Sequence, residues 1–131
     1  VRSVKPSRRP FAVARSSLWL ELGLPHDAVV AVPAPSAARD RTYASAVALR
    51  EWLAAAGVRP GAVLVFTLGA HARRTRLLYQ KAFGDAVRIG IVAVPSRDFD
   101  PARWWATSEG VRVVLSEAIS YLYARLVADP D

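Results

Sequence analysis

Short apolar runs and amphipathic segments take turns along this chain, and together they predict strands that alternate with helices. Residues 62–67 (AVLVFT) and residues 87–94 are valine-rich runs bounded by turn residues, a pattern typical of buried strands. Residues 28–32 form a shorter run of the same kind. The sequence therefore predicts at least three strands.

Amphipathic segments that predict helices separate these runs. The predicted helices cover residues 11–22, residues from 40 or 42 to 56, residues 71–83, a short segment that starts at residues 100–101, and residues from 107 or 108 to 126. Asp40 and Asp100 stand where helix caps are favoured, and Gly84 stands where a left-handed residue closes a helix. The apolar positions of the last helix form one stripe: Val111, Val114, Leu115, Ala118, Ile119, Leu122 and Leu126.

This alternation indicates the fold class. Strands joined through helices favour right-handed crossovers and a parallel sheet. We expect an α/β fold, a Rossmann-like three-layer αβα sandwich with a mainly parallel sheet of at least three strands. Three strands leave both sheet edges open, so we expect one or two further strands before Val1. The start at Val1 and the absence of methionine indicate either a fragment or a valine-coded start. We expect residues 1–10 to be a poorly ordered basic segment and residues 11–128 to form a single, partial domain.

Composition excludes several classes of function. A chain of 131 residues that is 53% apolar fits one globular domain. It has no cysteine and only two histidines, His26 and His71, so we expect neither disulfides nor a metal site. No apolar run approaches the roughly 18 residues of a membrane helix, and the N-terminus lacks the apolar core of a signal peptide. Both a cytoplasmic and an envelope-associated location stay open.

The net charge of +7 points to anionic partners. Sixteen of the eighteen basic residues are arginine, and they are spread as a compositional bias rather than as a stripe interleaved with aromatic residues. Nucleic-acid binding is therefore disfavoured. An anionic small molecule that bears phosphate is the preferred partner, and peripheral contact with an acidic membrane surface stays open.

The most informative stretch is the turn after the second predicted strand. Residues 71–76 (HARRTR) place arginines in the first turn of a helix, where each cation costs about 0.3–1 kcal/mol against the helix dipole. An anion bound there would reverse that cost, because the planar guanidinium groups of Arg73 and Arg74 match phosphate oxygens. The alternative is an internal ion pair with Asp40, Glu109 or Glu117.

The carboxyl ends of parallel strands meet at one edge of a sheet, where open α/β folds bind ligands. Residues 33–42, 68–74 and 95–108 follow the three predicted strands, so we expect a pocket where they converge. Gly69 belongs to this edge. Arg41 and Thr42 could supply a second anion contact, although Thr42 could equally be a helix cap. His71 could act as a neutral hydrogen-bond partner or proton carrier, with a structural role as the alternative.

Three further side chains are candidates for the same pocket. Trp104 and Trp105 are neighbours on a helix and point about 100° apart, so one is expected to pack inward and the other to line the pocket or lie exposed. Glu117 has no cation three or four residues away on its own helix. We expect its partner on another element, with Arg73 or Arg74 as the attractive choice and free solvation as the alternative.

These residues also carry a resemblance. The order of motifs is an arginine–threonine turn at Arg41-Thr42, the run GAHARR at residues 69–74, the pair Trp104-Trp105, and Glu117. It resembles the YdcF/SanA/ElyC family, a bacterial domain-of-unknown-function family with a Rossmann-like fold, over roughly residues 22–126. The family's first strand and its glycine-rich turns have no counterpart in this chain.

The resemblance implies a link to the bacterial cell envelope, including peptidoglycan or polyprenyl-carrier metabolism. The residues themselves supply the site candidates: Arg41, Thr42, Gly69, His71, Arg73, Arg74, Trp104 and Trp105 for ligand contacts, and His71 and Glu117 for catalysis. No P-loop, nucleotide-binding glycine fingerprint or nucleophile elbow is present, and the sequence indicates no cofactor. Two hypotheses remain, an enzyme that acts on a phosphorylated or nucleotide-like substrate and an anion-binding module without turnover.

Overall fold

The computed structural model describes Gly23, residues 30–35 and residues 40–126. The basic segment 1–10 and the predicted helix at residues 11–22 lie outside the described residues. The predicted strand at residues 28–32 reaches into them only at residues 30–32, which have no regular secondary structure. Val30 is exposed there. Residues 28 and 29 of the predicted strand lie outside the described residues.

By its contacts the chain divides into two compact units, residues 1–33 and residues 34–131. In the first unit Gly23 has a φ of +72°, the left-handed region that glycine favours. The rest of this description concerns the second unit.

The second unit alternates helices with strands. Its elements are α1 (Arg41–Ala55), β1 (Ala62–Leu68), a 3₁₀ turn (Gly69–His71), α2 (Ala72–Phe83), β2 (Arg88–Val94), a 3₁₀ segment (Pro101–Ala106) and α3 (Ser108–Leu126). Every segment predicted after residue 40 is confirmed to within a few residues. The bounds agree because local chemistry fixes them.

Capping residues set these bounds. Asp40 Oδ1 accepts hydrogen bonds from the backbone N–H groups of Thr42 (3.2 Å) and Tyr43 (3.3 Å), so Asp40 caps α1 and Thr42 does not. Gly84, with a φ of +72°, ends α2 as the sequence predicts. Thr107 Oγ1 accepts from the Gly110 N–H at 3.1 Å and caps α3.

β1 and β2 pair in parallel, from Ala62 opposite Arg88 to Leu68 opposite Val94. α2 is the crossover between them. The prediction of an α/β fold with a parallel sheet is therefore confirmed. The described residues hold two strands in the sheet, not three.

Helices cover one face of the sheet, and the other face is exposed. α2 contacts both strands, and α1 and α3 in turn contact α2. The core lies in this helical layer and on the adjoining sheet face, with buried side chains at Ala46, Leu78, Ala82, Ile89 and Ala124. On the opposite sheet face the apolar side chains are exposed: Leu64, Phe66, Leu68, Val92 and Val94.

α3 is turned so that its apolar stripe does not face this core. An amphipathic helix usually buries such a stripe. Here the buried positions are Gly110 and Ala124, while Leu115, Ile119, Leu122 and Leu126 are exposed. A β-carbon at Gly110 would overlap the Trp104 carbonyl oxygen, so glycine allows the 3₁₀ segment to lie close against the start of α3.

In the described part of the chain no helix combines the length and the hydropathy needed to cross a membrane.

Candidate functional site

Glu117 is the centre of a charged cluster that joins three helices. Arg74 donates to it through two hydrogen bonds, from Nε to Oε2 at 2.9 Å and from Nη2 to Oε1 at 3.1 Å. This is the bidentate geometry in which guanidinium and carboxylate groups bind most strongly. Only 12% of the Glu117 side chain and 19% of the Arg74 side chain are exposed. The pair is therefore largely shielded from water.

Asp40 extends the cluster to the start of α1. Its Oδ1 lies 3.8 Å from Arg74 Nη1, and the same oxygen caps α1. One carboxylate thus fixes the start of a helix and contributes charge to Arg74. From the sequence, Asp40 is predicted only as a helix cap and as one possible ion-pair partner. The feature that indicates the cap is its position directly before a predicted helix.

His71 completes the cluster through a further contact with Glu117. Its Nδ1 lies 2.8 Å from Glu117 Oε1, the oxygen that also accepts from Arg74. Nδ1 is buried, and no described residue gives it a well-aligned hydrogen bond, so the contact is close but bent. About a third of the side chain is exposed, at 36%. The imidazole therefore links the buried pair to the surface.

Arg74 and Glu117 each stabilise the charged form of the other. Burial raises the pKa of Glu117, but the hydrogen bond and charge of Arg74, with a smaller contribution from His71, outweigh it and hold that pKa below its usual range. The hydrogen bond to Glu117 raises the pKa of Arg74 against the opposing effect of burial. Both groups are ionised at neutral pH.

The local fold explains why these side chains meet. β1 ends at Leu68, and the 3₁₀ turn and the first turn of α2 place His71 and Arg74 three residues apart, hence on one helical face. Gly69 lies beside the end of β2, since a β-carbon there would come 3.7 Å from the Val94 carbonyl oxygen. Glu117 approaches from the inward side of α3, opposite its apolar stripe. The cluster thus forms at the carboxyl edge of the sheet.

The structure leaves other predicted residues outside the cluster. Arg41 and Arg73, in the first turns of α1 and α2, are exposed and form no ion pair with the described residues. Thr42 is half-buried at the start of α1. Of the two tryptophans, Trp104 is half-buried and Trp105 is exposed, and their rings meet edge to face at 6.0 Å. Among the described residues, no hydrogen bond links either ring to the cluster.

The described residues contain no group of three or more His, Asp or Glu side chains that could hold a metal ion. An open cleft of about 510 Å³ lies between α2 and the first residues of both strands, away from the cluster. Its lining includes Arg76, Gln80 and Arg88.

Comparison of the chain with protein-family models, curated proteins and solved structures finds no match.

Proposed function

We propose that this chain is a YdcF-like domain that binds a phosphate-bearing ligand at the carboxyl edge of β1 and β2. One observation carries the proposal. Asp40 directly precedes the Arg41-Thr42 turn and contacts Arg74. Arg74 and His71 both contact Glu117. These contacts link three of the motifs that resemble the family. Segments far apart in sequence thus contribute charged groups to one place at the sheet edge.

The ion pair assigns a different role to each arginine. Arg74 donates from Nε and Nη2 to Glu117, and its Nη1 faces Asp40. Arg74 therefore holds the two carboxylates in place and is not the residue that binds the anion. Arg73 and Arg41 are the cations available to a ligand. Each sits in a first helical turn, where a bound anion would relieve the unfavourable interaction with the helix dipole.

His71 gives the proposed site a group that can move a proton. Nδ1 lies against the Glu117 carboxylate, so a neutral ring with its proton on Nδ1 leaves Nε2 as an acceptor. Such a histidine could act as a general base or acid toward a phosphorylated or nucleotide-like substrate. Polyprenyl-carrier or peptidoglycan metabolism is the proposed setting, with peripheral membrane contact as part of it.

A binding module without turnover is the second candidate. The observation that favours it is the mutual neutralisation of Arg74 and Glu117, which leaves Glu117 without a free proton-accepting role. The variant His71→Ala separates the two candidates. Loss of turnover with retained ligand binding supports the enzyme, and unchanged behaviour rules out a catalytic histidine.

The number of layers and strands in the complete fold is also a proposal. We infer a three-layer αβα sandwich with at least three strands, supported by the five exposed apolar side chains on the sheet face opposite α2. Such a face is typical of a sheet that carries a further layer.

Ligand-dependent melting tests the proposed site. We expect inorganic phosphate, nucleotides or a soluble prenyl phosphate to raise the melting temperature of the full chain, since ligand at 100 times its Kd adds about 2.7 kcal/mol. Arg73→Ala should abolish the shift. Arg59→Ala, which removes an exposed arginine before β1, at the opposite edge of the sheet, is the matched control and should keep it. A shift of equal size in both variants would contradict the site.

A further inference from the structure

The two ring nitrogens of His71 have different surroundings. Nδ1 is buried and lies 2.8 Å from Glu117 Oε1. Among the described residues it is the one buried side-chain nitrogen or oxygen without an aligned hydrogen bond. Nε2 bonds to no described residue either, so it is not buried, in keeping with the exposure of about a third of this side chain. A molecule in solution can therefore reach Nε2.

Glu117 holds the imidazole ring in one orientation. Both oxygens of this carboxylate accept hydrogen bonds from Arg74, at 2.9 and 3.1 Å, so the carboxylate cannot rotate freely. The lowered pKa of Glu117 keeps it ionised, and it faces Nδ1 as an acceptor. An ionised carboxylate favours the neutral tautomer with the proton on Nδ1, which leaves the lone pair on Nε2.

A fixed ring with an accessible lone pair suits a nucleophile. Histidine is among the side chains that form covalent intermediates when a third group orients them. Phosphoryl transfer passes through a loose transition state, so removal of a proton from water gains little and positioning of the nucleophile gains more. We propose that His71 Nε2 accepts a phosphoryl group from the ligand and forms a phosphohistidine, an inference that rests on the phosphate site proposed above.

The step balances without a further reactant. The Nε2 lone pair forms the bond to phosphorus, and the bond from phosphorus to the bridging oxygen breaks, so its electron pair leaves with that oxygen. The Nδ1 proton stays on the ring, whose new positive charge faces the Glu117 carboxylate. Water then attacks the phosphorus, the N–P electron pair returns to Nε2, and inorganic phosphate is released with both protons of the water.

The cluster also indicates the class of the phosphoryl donor. An alkoxide leaving group needs a proton from an acid as it departs. Arg74 and Glu117 stabilise each other in their charged forms, so neither supplies that proton at neutral pH. The proton on Nδ1 faces Glu117 and not the ligand. A phosphate leaving group departs as a stable anion, so the donor is a phosphoanhydride, a diphosphate or nucleoside polyphosphate, rather than a phosphate monoester.

Incubation of the full chain with radiolabelled ATP, pyrophosphate or glycerol phosphate tests the intermediate. We expect the two phosphoanhydrides to label the protein in a linkage that is stable in alkali and lost in acid, as phosphohistidine is. Glycerol phosphate should not label it. His71→Ala and His71→Asn should lose the label, and His26→Ala, which removes the only other histidine, should keep it.

Exchange of labelled ADP into ATP detects an intermediate that is consumed too fast to accumulate. Absence of both label and exchange, or label that persists in the His71 variants, would overturn the proposal. Phosphate release from ATP without exchange would make His71 a general base and equally refute the intermediate. If phosphate still raises the melting temperature in an Arg73-dependent way, the phosphate site stands and the phosphohistidine alone is refuted.

Glu117 is a positioning residue in this proposal. Glu117→Gln keeps the size of the side chain and removes its charge, and it should slow labelling about tenfold or more. The phosphate-induced rise in melting temperature should persist in this variant. Glu109→Gln, at an exposed position of the same helix, is the matched control and should label at the wild-type rate. Equal rates in the two variants would refute the role of Glu117.

Discussion

The ion pair between Arg74 and Glu117 should couple α2 to α3 with a measurable free energy. Two charge-assisted hydrogen bonds join the groups. Breaking a fully buried pair costs about 3–5 kcal/mol, since the remaining charge stays unpaired. The side chains here keep 19% and 12% exposure, so solvent screens part of that cost and we expect a coupling of about 2 kcal/mol.

A double-mutant cycle measures this coupling. Urea unfolding of the wild type, Arg74→Ala, Glu117→Ala and the double variant yields the coupling as the departure from additivity. The control is the exposed pair Glu109 and Arg112 on α3, for which the same cycle should give no measurable coupling. Equal couplings in the two cycles, or none for Arg74 and Glu117, would refute the central place of this pair.

Three other predictions follow from the same contacts. Because the pKa of Glu117 is lowered in the folded state, its ionised form stabilises the fold at pH values above the ordinary glutamate pKa of about 4.3. This contribution is lost as the pH falls through the lower pKa of the folded state. In acid unfolding, Glu117→Gln should therefore make the free energy of unfolding less dependent on pH in that range. Gly110→Ala should destabilise the fold by about 1–3 kcal/mol in urea unfolding, because its β-carbon overlaps the Trp104 carbonyl, and wild-type stability would contradict this packing. Asp40→Ala should cost about 1 kcal/mol through the lost cap, while Asp40→Asn should restore most of it; failure of the asparagine to do so would mean that the charge on Arg74 matters more than the cap.

Local chemistry made most element bounds predictable from the sequence. Asp40 and Gly84 act within one helical turn, so their effect can be predicted without knowing the fold. The partner of Glu117 was partly predictable, since no cation on its own helix could reach it. Which arginine it would choose depended on how α2 and α3 pack, and Arg74 rather than Arg73 faces α3.

The direction of the α3 stripe was not predictable in this way. Periodicity shows that Leu115, Ile119 and Leu122 share a side, but it does not show whether that side meets the chain's own core or another molecule. Residues 30–32, the described part of the strand predicted at residues 28–32, have no regular secondary structure. An apolar run becomes a strand only when another strand supplies its hydrogen-bond partners.

The most direct test of the proposed anion site is a phosphate titration followed by NMR of the ¹⁵N-labelled chain. We predict saturable shifts of the Arg73 Nε–H and His71 ring signals with inorganic phosphate, and none with chloride at equal ionic strength. The shifts should vanish in Arg73→Ala and persist in Arg59→Ala, which removes an exposed arginine at the opposite edge of the sheet. Absence of a saturable shift, or the same shift in both variants, would contradict a phosphate site at this edge of the sheet.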